Sequence, residues 1–360
     1  MSQLTIRDIR ARAVEAPIPR PVRTASGEIE KAPLLLVDVL TDEGVTGSAY
    51  AFGYTKATLR PLLALVDELR AELVGKPVVP FARMQQLERR FRLLGLQGLL
   101  GMLASTLDMA YWDALGKAAG QPVVQLLGGE AAPVRAYDSY GMVDPVQDAG
   151  PLRRSLEQGF RAVKIKVGYA DPKRDVEVVR AVRELIGPDI ALMVDFNQSQ
   201  SPAEAIRRIR ALEAYDLCWI EEPVAAEDLQ GHAKVREGTG ACIQTGENWW
   251  FPRDAERALS AGACDKMMPD LMKIGGITGW LSVMGLAAAA SMPVSSHLFI
   301  EGSAHVLAVT PTCDWLEFMD FGSAVLADPY RVDANGCVSA RGPGLGIAWD
   351  EAAVERYRLN

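Results

Sequence analysis

Three acidic residues end short apolar runs at an even spacing in the second half of the chain. Asp195, Glu221 and Glu247 are separated by 26 residues each. If the runs are neighbouring parallel strands, the three carboxylates meet at one edge of a sheet and repel one another unless a cation lies between them. Mg²⁺ prefers oxygen ligands in an octahedral arrangement, so the pattern predicts a magnesium site. The alternative is that each acid caps the following helix or faces solvent.

Two lysines lie two positions apart on the apolar run that precedes the acidic residues. Lys164 and Lys166 therefore project from the same face of a strand. A cationic neighbour disfavours the charged form of a lysine, and this is one way to make a lysine available as a base. The competing interpretation is a pair of solvated surface lysines.

A histidine and an aspartate end two successive runs further along the chain. His297 ends the run 293–297 and Asp270 ends the run 265–270. An aspartate beside a histidine can orient the imidazole ring and stabilise its protonated form, which predicts an acid and base pair. The lysines and His297 belong to the second and seventh runs, which lie on nearly opposite sides of a closed barrel. They could therefore approach opposite faces of one bound carbon.

Two further polar residues follow strand-like runs. Glu317 could be protonated in an acidic site and donate a hydrogen bond to a substrate carboxylate, although it could also be an exposed strand end. Asn197 could hydrogen-bond a substrate hydroxyl. The glycine-rich segments 275–279 and 342–346 lack the context of a phosphate loop and are interpreted as turns.

Eight short apolar runs, alternating with amphipathic segments, must position these residues. Repeated strand and helix units of this kind imply parallel strands with right-handed crossovers, and eight of them close into an α/β barrel. The active site of such a barrel lies at the carboxyl ends of its strands, where the polar residues described above stand. The predicted runs are 134–139, 162–167, 190–197, 217–223, 242–248, 265–270, 293–297 and 314–318.

The first part of the chain has a different pattern. Strand-like segments at 4–18, 34–40 and 45–52 precede helical periodicity at 57–73, 81–93 and 102–117, which predicts an α+β domain. We therefore expect an α+β domain at 1–128, a barrel at 129–321, and a C-terminal segment at 322–360 that packs back on the first domain.

Composition narrows the possible partners. A net charge of −8 without a basic block argues against nucleic acid, and no apolar run is long enough for a membrane helix or a signal peptide. The five cysteines are far apart, which argues against disulfides and zinc and favours a cytoplasmic location. We expect a homo-oligomer that acts on a small carboxylate.

Several motifs make the chain similar to the mandelate racemase subgroup of the enolase superfamily over essentially its whole length. They are the segments 137–139, 159–166, 193–195, 219–223, 246–249, 272–276, 295–299 and 315–317. The resemblance implies an N-terminal capping domain over a modified (β/α)₇β barrel.

The resemblance also implies a role for each matching residue. Asp195, Glu221 and Glu247 would bind Mg²⁺, while Lys166 and His297 would be the two acid and base catalysts. Asp270 would support His297, Lys164 would neutralise the substrate carboxylate, and Glu317 would be an electrophilic acid. Ser139 and Asn197 would contact the substrate. The wall of the substrate pocket would include Val22, Phe52, Tyr54 and Leu298.

The reaction implied is Mg²⁺-dependent removal of the α-proton of a 2-hydroxycarboxylate to give a metal-stabilised enolate, followed by racemisation or epimerisation. Where the subgroup's namesake has an apolar, valine-rich capping loop, residues 21–31 include Ser26, Glu28 and Glu30. This more polar lid favours the alternative, an acid-sugar (aldonate or aldarate) dehydratase that forms a 2-keto-3-deoxy acid. A third possibility is a non-catalytic carboxylate-binding protein.

Overall fold

The computed structural model describes residues 3–24 and 27–359. The chain begins with an antiparallel sheet of three strands, β1 (Ile6–Thr24), β2 (Gly27–Thr41) and β3 (Thr46–Phe52). The first two strands are longer than predicted and pair to the end of a hairpin, where Thr24 lies opposite Gly27. The three prolines between 17 and 21 obscured this continuation, and the register indeed shifts between Pro17 and Val22.

Four helices complete the N-terminal region: α1 (Leu59–Leu73), α2 (Pro80–Arg90), α3 (Gly98–Ala119) and α4 (Val123–Leu126). The central helix, α3, is buried along most of its length and lies directly on β3. A Cβ atom on Gly47 of β3 would lie only 2.0 Å from the carbonyl oxygen of Ala110, so this close packing requires glycine. The predicted α+β character of this region is therefore present.

A curled sheet of parallel strands forms the second part of the molecule. Its strands lie in the order β10 (Leu316–Phe318), β4 (Pro133–Met142), β5 (Ala162–Lys166), β6 (Ala191–Asp195), β7 (Leu217–Glu221), β8 (Ile243–Thr245) and β9 (Lys266–Met267). The helices outside it are α5 (Ala149–Glu157), α6 (Pro172–Ile186), α7 (Pro202–Leu212), α8 (Leu229–Gly238), α9 (Phe251–Ser260), α10 (Gly276–Ala289) and α11 (Ile300–Ala308). The predicted modified barrel is confirmed.

Two sequence-based expectations were wrong in detail. The segment 293–297 is not a regular strand, but it closes the barrel through isolated parallel bridges, from Val294 to Met267 and Cys313 and from His297 to Asp270. The glycine-rich segment 275–279 is not a simple turn, because α10 begins at Gly276. Its N-terminus is stabilised from α3, since Asp108 accepts hydrogen bonds from the backbone and side chain of Thr278 at 2.9 and 2.5 Å.

The C-terminal segment contacts both parts of the molecule. Strand β11 (Cys337–Ser339) pairs antiparallel with β4, and helix α12 (Glu351–Tyr357) precedes a backbone hydrogen bond from Leu359 to Ala13 of β1. Trp349 Nε1 also donates to Asp38 Oδ1 of β2 at 2.7 Å. These contacts agree with a segment that packs on the first domain, whereas the domain boundaries stay a prediction. None of the described helices is long and apolar enough to cross a membrane.

Candidate active site

The three predicted metal ligands lie at the carboxyl ends of adjacent strands. Strand register places Lys166 of β5 opposite Asp195 of β6, and Asp195 opposite Glu221 of β7. Glu247 lies two residues beyond the end of β8. Asp195 and Glu221 are fully buried, Glu247 is nearly so, and one carboxylate oxygen of each lies within 4.8 Å of the others. The structure therefore brings the three acids together as a set of oxygen donors.

The charge balance of the surrounding cluster fits a divalent cation. Among the described residues, six buried carboxylates face four positively charged groups here, if His297 is protonated. The acids are Asp195, Glu221, Glu222, Glu247, Asp270 and Glu317, and the cationic residues are Lys164, Lys166, Lys273 and His297. If all six acids are ionised, the cluster lacks two positive charges, which is the charge of one Mg²⁺. Burial, opposed by Lys164 and reinforced by neighbouring acids, raises the pKa of Glu221 to about 8.

The two lysines of β5 are engaged with the acids. Lys164 Nζ lies 2.5 Å from Glu221 and 2.8 Å from Glu317, and Lys166 Nζ lies 2.5 Å from Asp195. We expected one lysine to depress the pKa of the other. Instead the pKa of Lys166 is raised, because the opposing effects of burial and of Lys164 are outweighed by Asp195 and other carboxylates. The sequence pattern gave the shared face of the lysines but not their partners.

His297 lies at the opposite side of the same cluster. Its Nδ1 is 2.6 Å from Asp270 Oδ2, and its Nε2 is 3.3 Å from Glu247 and 3.7 Å from Glu317. Burial lowers the pKa of His297, but the adjacent carboxylates overcome it and raise the pKa to about 9. The predicted pairing of the imidazole with an aspartate is therefore present in the geometry.

Glu317 is surrounded by hydrogen-bond donors. Its carboxylate accepts from Ser139 Oγ at 2.8 Å and from the backbone N–H of Leu298 at 3.0 Å, in addition to its ion pair with Lys164. Burial raises the pKa of Glu317, but Lys164, the adjacent His297 and the backbone N–H of Leu298 bring it down to about 2. The donors around Glu317 favour its ionised form here, so a protonated Glu317 facing a substrate carboxylate stays a prediction.

Asn197 offers an unused acceptor beside the acids. Its backbone N–H and its Nδ2 donate to Asp195 at 2.7 and 2.8 Å. Its Oδ1 is buried, and no described residue hydrogen-bonds to it. A buried acceptor without a partner costs free energy, so this atom is suited to a hydroxyl group of a bound molecule.

The four predicted wall residues differ in their burial and in their neighbours. Tyr54 is 42% exposed, and its ring centroid lies 4.7 Å from that of Phe52 in a tilted arrangement, while Phe52 is itself buried and stacked against Phe321. Leu298 is buried beside His297. Val22 is buried and, with Ser139, lines a cavity of about 590 Å³ between the capping hairpin, β4 and β10.

The polar lid predicted from residues 21–31 is polar only on its outer face. Val22 of β1 lies directly opposite Ile29 of β2, so the two side chains share one face of the hairpin, and they are buried and half-buried. Glu28 and Glu30, which are exposed, alternate with Ile29. Ser26 lies outside the described residues. The argument from a polar lid toward a sugar substrate is weakened accordingly.

The capping hairpin is attached to the barrel by residues that sequence reasoning passed over. Arg20 pairs with Asp138, donates to the backbone oxygen of Ser139 at 2.9 Å, and lies 3.6 Å above the Tyr140 ring. A Cβ atom on Gly141 would lie 2.4 Å from the carbonyl oxygen of Arg23. The pair Tyr140 and Gly141, which directly follows the predicted substrate contact Ser139, was the available signal.

A second group of unpredicted residues lies behind the acids. Glu222 is fully buried and accepts a hydrogen bond from Asn248 Nδ2 at 2.7 Å. Lys273, which is only 5% exposed, donates to Asn248 Oδ1 at 2.6 Å. Nothing in the spacing of these residues indicated that they meet, because Lys273 follows its strand in an irregular segment.

Family models match both parts of the chain. Residues 6–128 match the N-terminal domain of the mandelate racemase / muconate lactonizing enzyme family, and residues 149–353 match the enolase C-terminal domain-like model.

Individual relatives differ in the reactions for which they are named. A 3,6-anhydro-alpha-L-galactonate cycloisomerase from Streptomyces coelicolor is 34% identical, over 95% of this chain and 97% of the relative. An L-talarate/galactarate dehydratase from Salmonella typhimurium is 30% identical, over 89% and 81% of the two chains. The crystal structure of an enolase from Bradyrhizobium complexed with magnesium and mandelic acid superposes with a TM-score of 0.98, at 56% identity and over 100% of both chains.

Proposed function

Because the chain belongs to the mandelate racemase subgroup of the enolase superfamily, we propose that it racemises or epimerises a 2-hydroxycarboxylate by Mg²⁺-dependent removal of the α-proton. One observation carries the proposal. Lys166 and His297 approach the same acid cluster from the second and seventh positions of the barrel, so that one proton carrier stands on each side. A racemase that removes a proton from one face of a carbon and returns one to the other face needs both groups.

Asp195, Glu221 and Glu247 would hold the magnesium ion, as their converging oxygens and the deficit of positive charge indicate. Bound there, the cation would stabilise negative charge on the substrate oxygens by several kcal/mol and would replace Lys166 as the counter-ion of Asp195. Each pKa unit between the carbon acid and its base costs about 1.4 kcal/mol, so a lysine alone could not ionise the substrate.

The protein's own groups would divide the remaining work. Lys166 would take the α-proton from one face, and His297, protonated and oriented by Asp270, would deliver a proton to the other. Positioned acid and base groups of this kind contribute roughly 10² to 10⁴ in rate. The raised pKa of His297 suits a histidine that begins as an acid, whereas the raised pKa of Lys166 means that it would act as a base only once the cation replaces it beside Asp195.

The substrate's polar groups would be held by residues that already donate or accept at the site. Lys164 would neutralise the substrate carboxylate together with the metal. Ser139 would contact the substrate, and Asn197 Oδ1 would accept a hydrogen bond from the 2-hydroxyl. Approach of a substrate carboxylate would raise the pKa of Glu317, because a second negative charge disfavours the first. Glu317 could then donate a hydrogen bond, as the family resemblance implies.

The apolar inner face of the cap favours racemisation over dehydration. Val22, which is buried, and Ile29, which is half-buried, lie on the same face of the hairpin, and the Tyr54 ring lies 5.0 Å from Lys273. A substrate whose body packs there needs no hydroxyl at its third carbon, and without that hydroxyl it cannot be dehydrated. The mandelic acid bound to the Bradyrhizobium enolase is a 2-hydroxycarboxylate with an aromatic body.

A second candidate is dehydration of an acid sugar to a 2-keto-3-deoxy acid. The dehydratases among the relatives support it, and the same geometry would serve if His297 assisted departure of a 3-hydroxyl. A non-catalytic carboxylate-binding protein is the third class, and the presence of both proton carriers beside the acids opposes it.

The decisive experiment follows exchange of the substrate α-proton in D₂O by NMR, over a panel of 2-hydroxy acids and acid sugars. We expect exchange with Mg²⁺, with loss of optical rotation and without keto-acid release. It should disappear on chelation and in the Lys166→Ala/His297→Asn double variant. Keto-acid release would select the dehydratase instead. Binding without exchange, or full activity after exhaustive chelation, would contradict the proposal.

A further inference from the structure

Lys273 is a buried cation for which the proposed mechanism has no use. It lies between β9 and α10, three residues beyond Asp270, and only 5% of it is exposed. A lysine so buried is held in place by its partners. Its two partners belong to different parts of the molecule.

On the barrel side, Lys273 determines which way an amide points. Its Nζ donates to Asn248 Oδ1 at 2.6 Å, and this contact turns Asn248 Nδ2 toward the acids. There Nδ2 donates to Glu222 at 2.7 Å and to Glu247 at 3.3 Å. Without a donor at Oδ1, the amide could rotate and its contacts with both carboxylates would lose their fixed geometry.

On the capping side, Lys273 contacts an aromatic ring that little else holds. Its Nζ lies 5.0 Å from the centroid of the Tyr54 ring. Tyr54 is 42% exposed, and its backbone has a φ of 59°, a left-handed conformation that is uncommon for a bulky residue. The contacts of its side chain must therefore stabilise this position, and those with Lys273 and Phe52 are available.

We propose that Lys273 is a positioning residue that fastens the capping loop at Tyr54 to the carboxylate cluster through Asn248. Tyr54, Lys273, Asn248 and Glu222 form one continuous chain of contacts from the cap to the acids. The inference rests on the proposed function only in treating Tyr54 as part of the substrate wall. A cap held in this way closes over the substrate in one position.

The chain of contacts predicts that substitutions in the barrel change the mobility of the capping loop at Tyr54. Hydrogen–deuterium exchange of the free protein can test this. Lys273→Met should raise amide exchange in residues 53–58 by roughly threefold to tenfold, as expected for loss of a cation–π contact. Asn248→Leu should raise exchange in the same residues, although Asn248 is in the barrel. The double variant should exchange no faster than Lys273→Met alone, because both substitutions interrupt one chain.

Two controls define the effect. Lys273→Arg retains the charge and should restore the wild-type exchange. Lys266→Met removes a comparable lysine at the other end of the barrel, where Nζ lies 2.6 Å from Asp314 and 5.3 Å from the Trp219 ring centroid. That variant should leave residues 53–58 unchanged. If a catalysed substrate is found, Lys273→Met should raise its KM more than it lowers kcat.

A purely electrostatic role gives a different result. In that case Lys273→Met would tighten binding of Mg²⁺, measured calorimetrically with the metal alone, and would leave the exchange of residues 53–58 at the wild-type rate. That result, or additive effects in the double variant, would overturn the proposal. The exchange is measured without metal or substrate, so failure of the proposed function would not imitate it.

Discussion

Lys166 and His297 should each serve one face of the substrate, which single substitutions can separate. In His297→Asn we expect racemisation to fall by at least roughly 10²-fold, whereas the enantiomer whose α-proton faces Lys166 should still exchange that proton with D₂O. Lys166→Ala should show the opposite preference. Proton NMR of each enantiomer in turn measures both.

A matched substitution controls for the loss of a buried histidine. His232 is buried in α8, away from the acids, and His232→Asn should leave both exchange rates unchanged. Equal loss of exchange from both enantiomers in His297→Asn would contradict the assignment of separate faces.

The convergence of the three acids with Lys166 and His297 could be predicted because strand ends in a barrel share one edge. Asp195, Glu221 and Glu247 follow from spacing alone, and the structure places them within reach of one ion. Protonation states could not be predicted in this way. The raised pKa of Lys166 and the low pKa of Glu317 depend on partners that strand order brings together, and those partners are distant in the sequence.

At the scale of elements, the capping hairpin and β4 approach so closely that glycine is required between them. Gly141→Ala should displace the hairpin, because the new Cβ would lie within 2.5 Å of two backbone atoms of Arg23. We expect faster amide exchange in residues 19–24 and a KM raised by about tenfold or more. Hydrogen–deuterium exchange and steady-state kinetics measure the two effects.

Gly285 of α10 is the matching control for this substitution. An added Cβ there meets nothing within 4 Å, so Gly285→Ala should stabilise the helix by up to about 1 kcal/mol and leave the hairpin unchanged. If Gly141→Ala kept the wild-type KM and the wild-type amide exchange in residues 19–24, the prediction that glycine is required at this position would be contradicted.

Regular elements with local signals were the most predictable. Asp171 and Ser201, each followed by proline, begin α6 and α7 with side-chain hydrogen bonds to the backbone. The segment 293–297 was less predictable because its pairing reduces to single bridges, although its apolar pattern resembles that of a strand. The pattern of apolar side chains in the sequence indicates which residues are buried. Whether a buried segment forms regular strand hydrogen bonds depends on the local path of the neighbouring strands.

At the scale of the whole molecule, one buried histidine joins three regions of the chain. His305 of α11 accepts a hydrogen bond at Nδ1 from the backbone N–H of Val124 in α4, at 3.0 Å. Its Nε2 lies 3.3 Å from the hydroxyl of Tyr330 in the C-terminal segment. Burial lowers the pKa of His305 to about 4, so the folded protein holds it neutral.

The free energy of unfolding should therefore depend on pH in a defined direction. An unfolded histidine has a pKa of about 6.5, so the unfolded chain binds more protons than the folded one between pH 6.5 and 4. The contribution of His305 is fully present above pH 6.5, and up to about 3 kcal/mol is lost as the pH falls to 4. Denaturant unfolding across this range measures it.

His305→Asn provides the comparison, because its Oδ1 can accept from Val124 but does not titrate. The difference in unfolding free energy between wild type and variant should shift by about 3 kcal/mol over this range. A constant difference would contradict the assignment. The predicted homo-oligomer would shift both curves alike.

The pairing of Val22 with Ile29 carries a consequence for how related proteins could diverge. Side chains alternate between the two faces of a strand, so deleting one residue near the hairpin tip would turn Glu28 or Glu30 inward and Ile29 outward. A single-codon deletion would thus replace an apolar inner face of the capping hairpin with an acidic one and leave the barrel unchanged. Selection for a new substrate could therefore act on the length of the capping hairpin as readily as on its amino-acid composition.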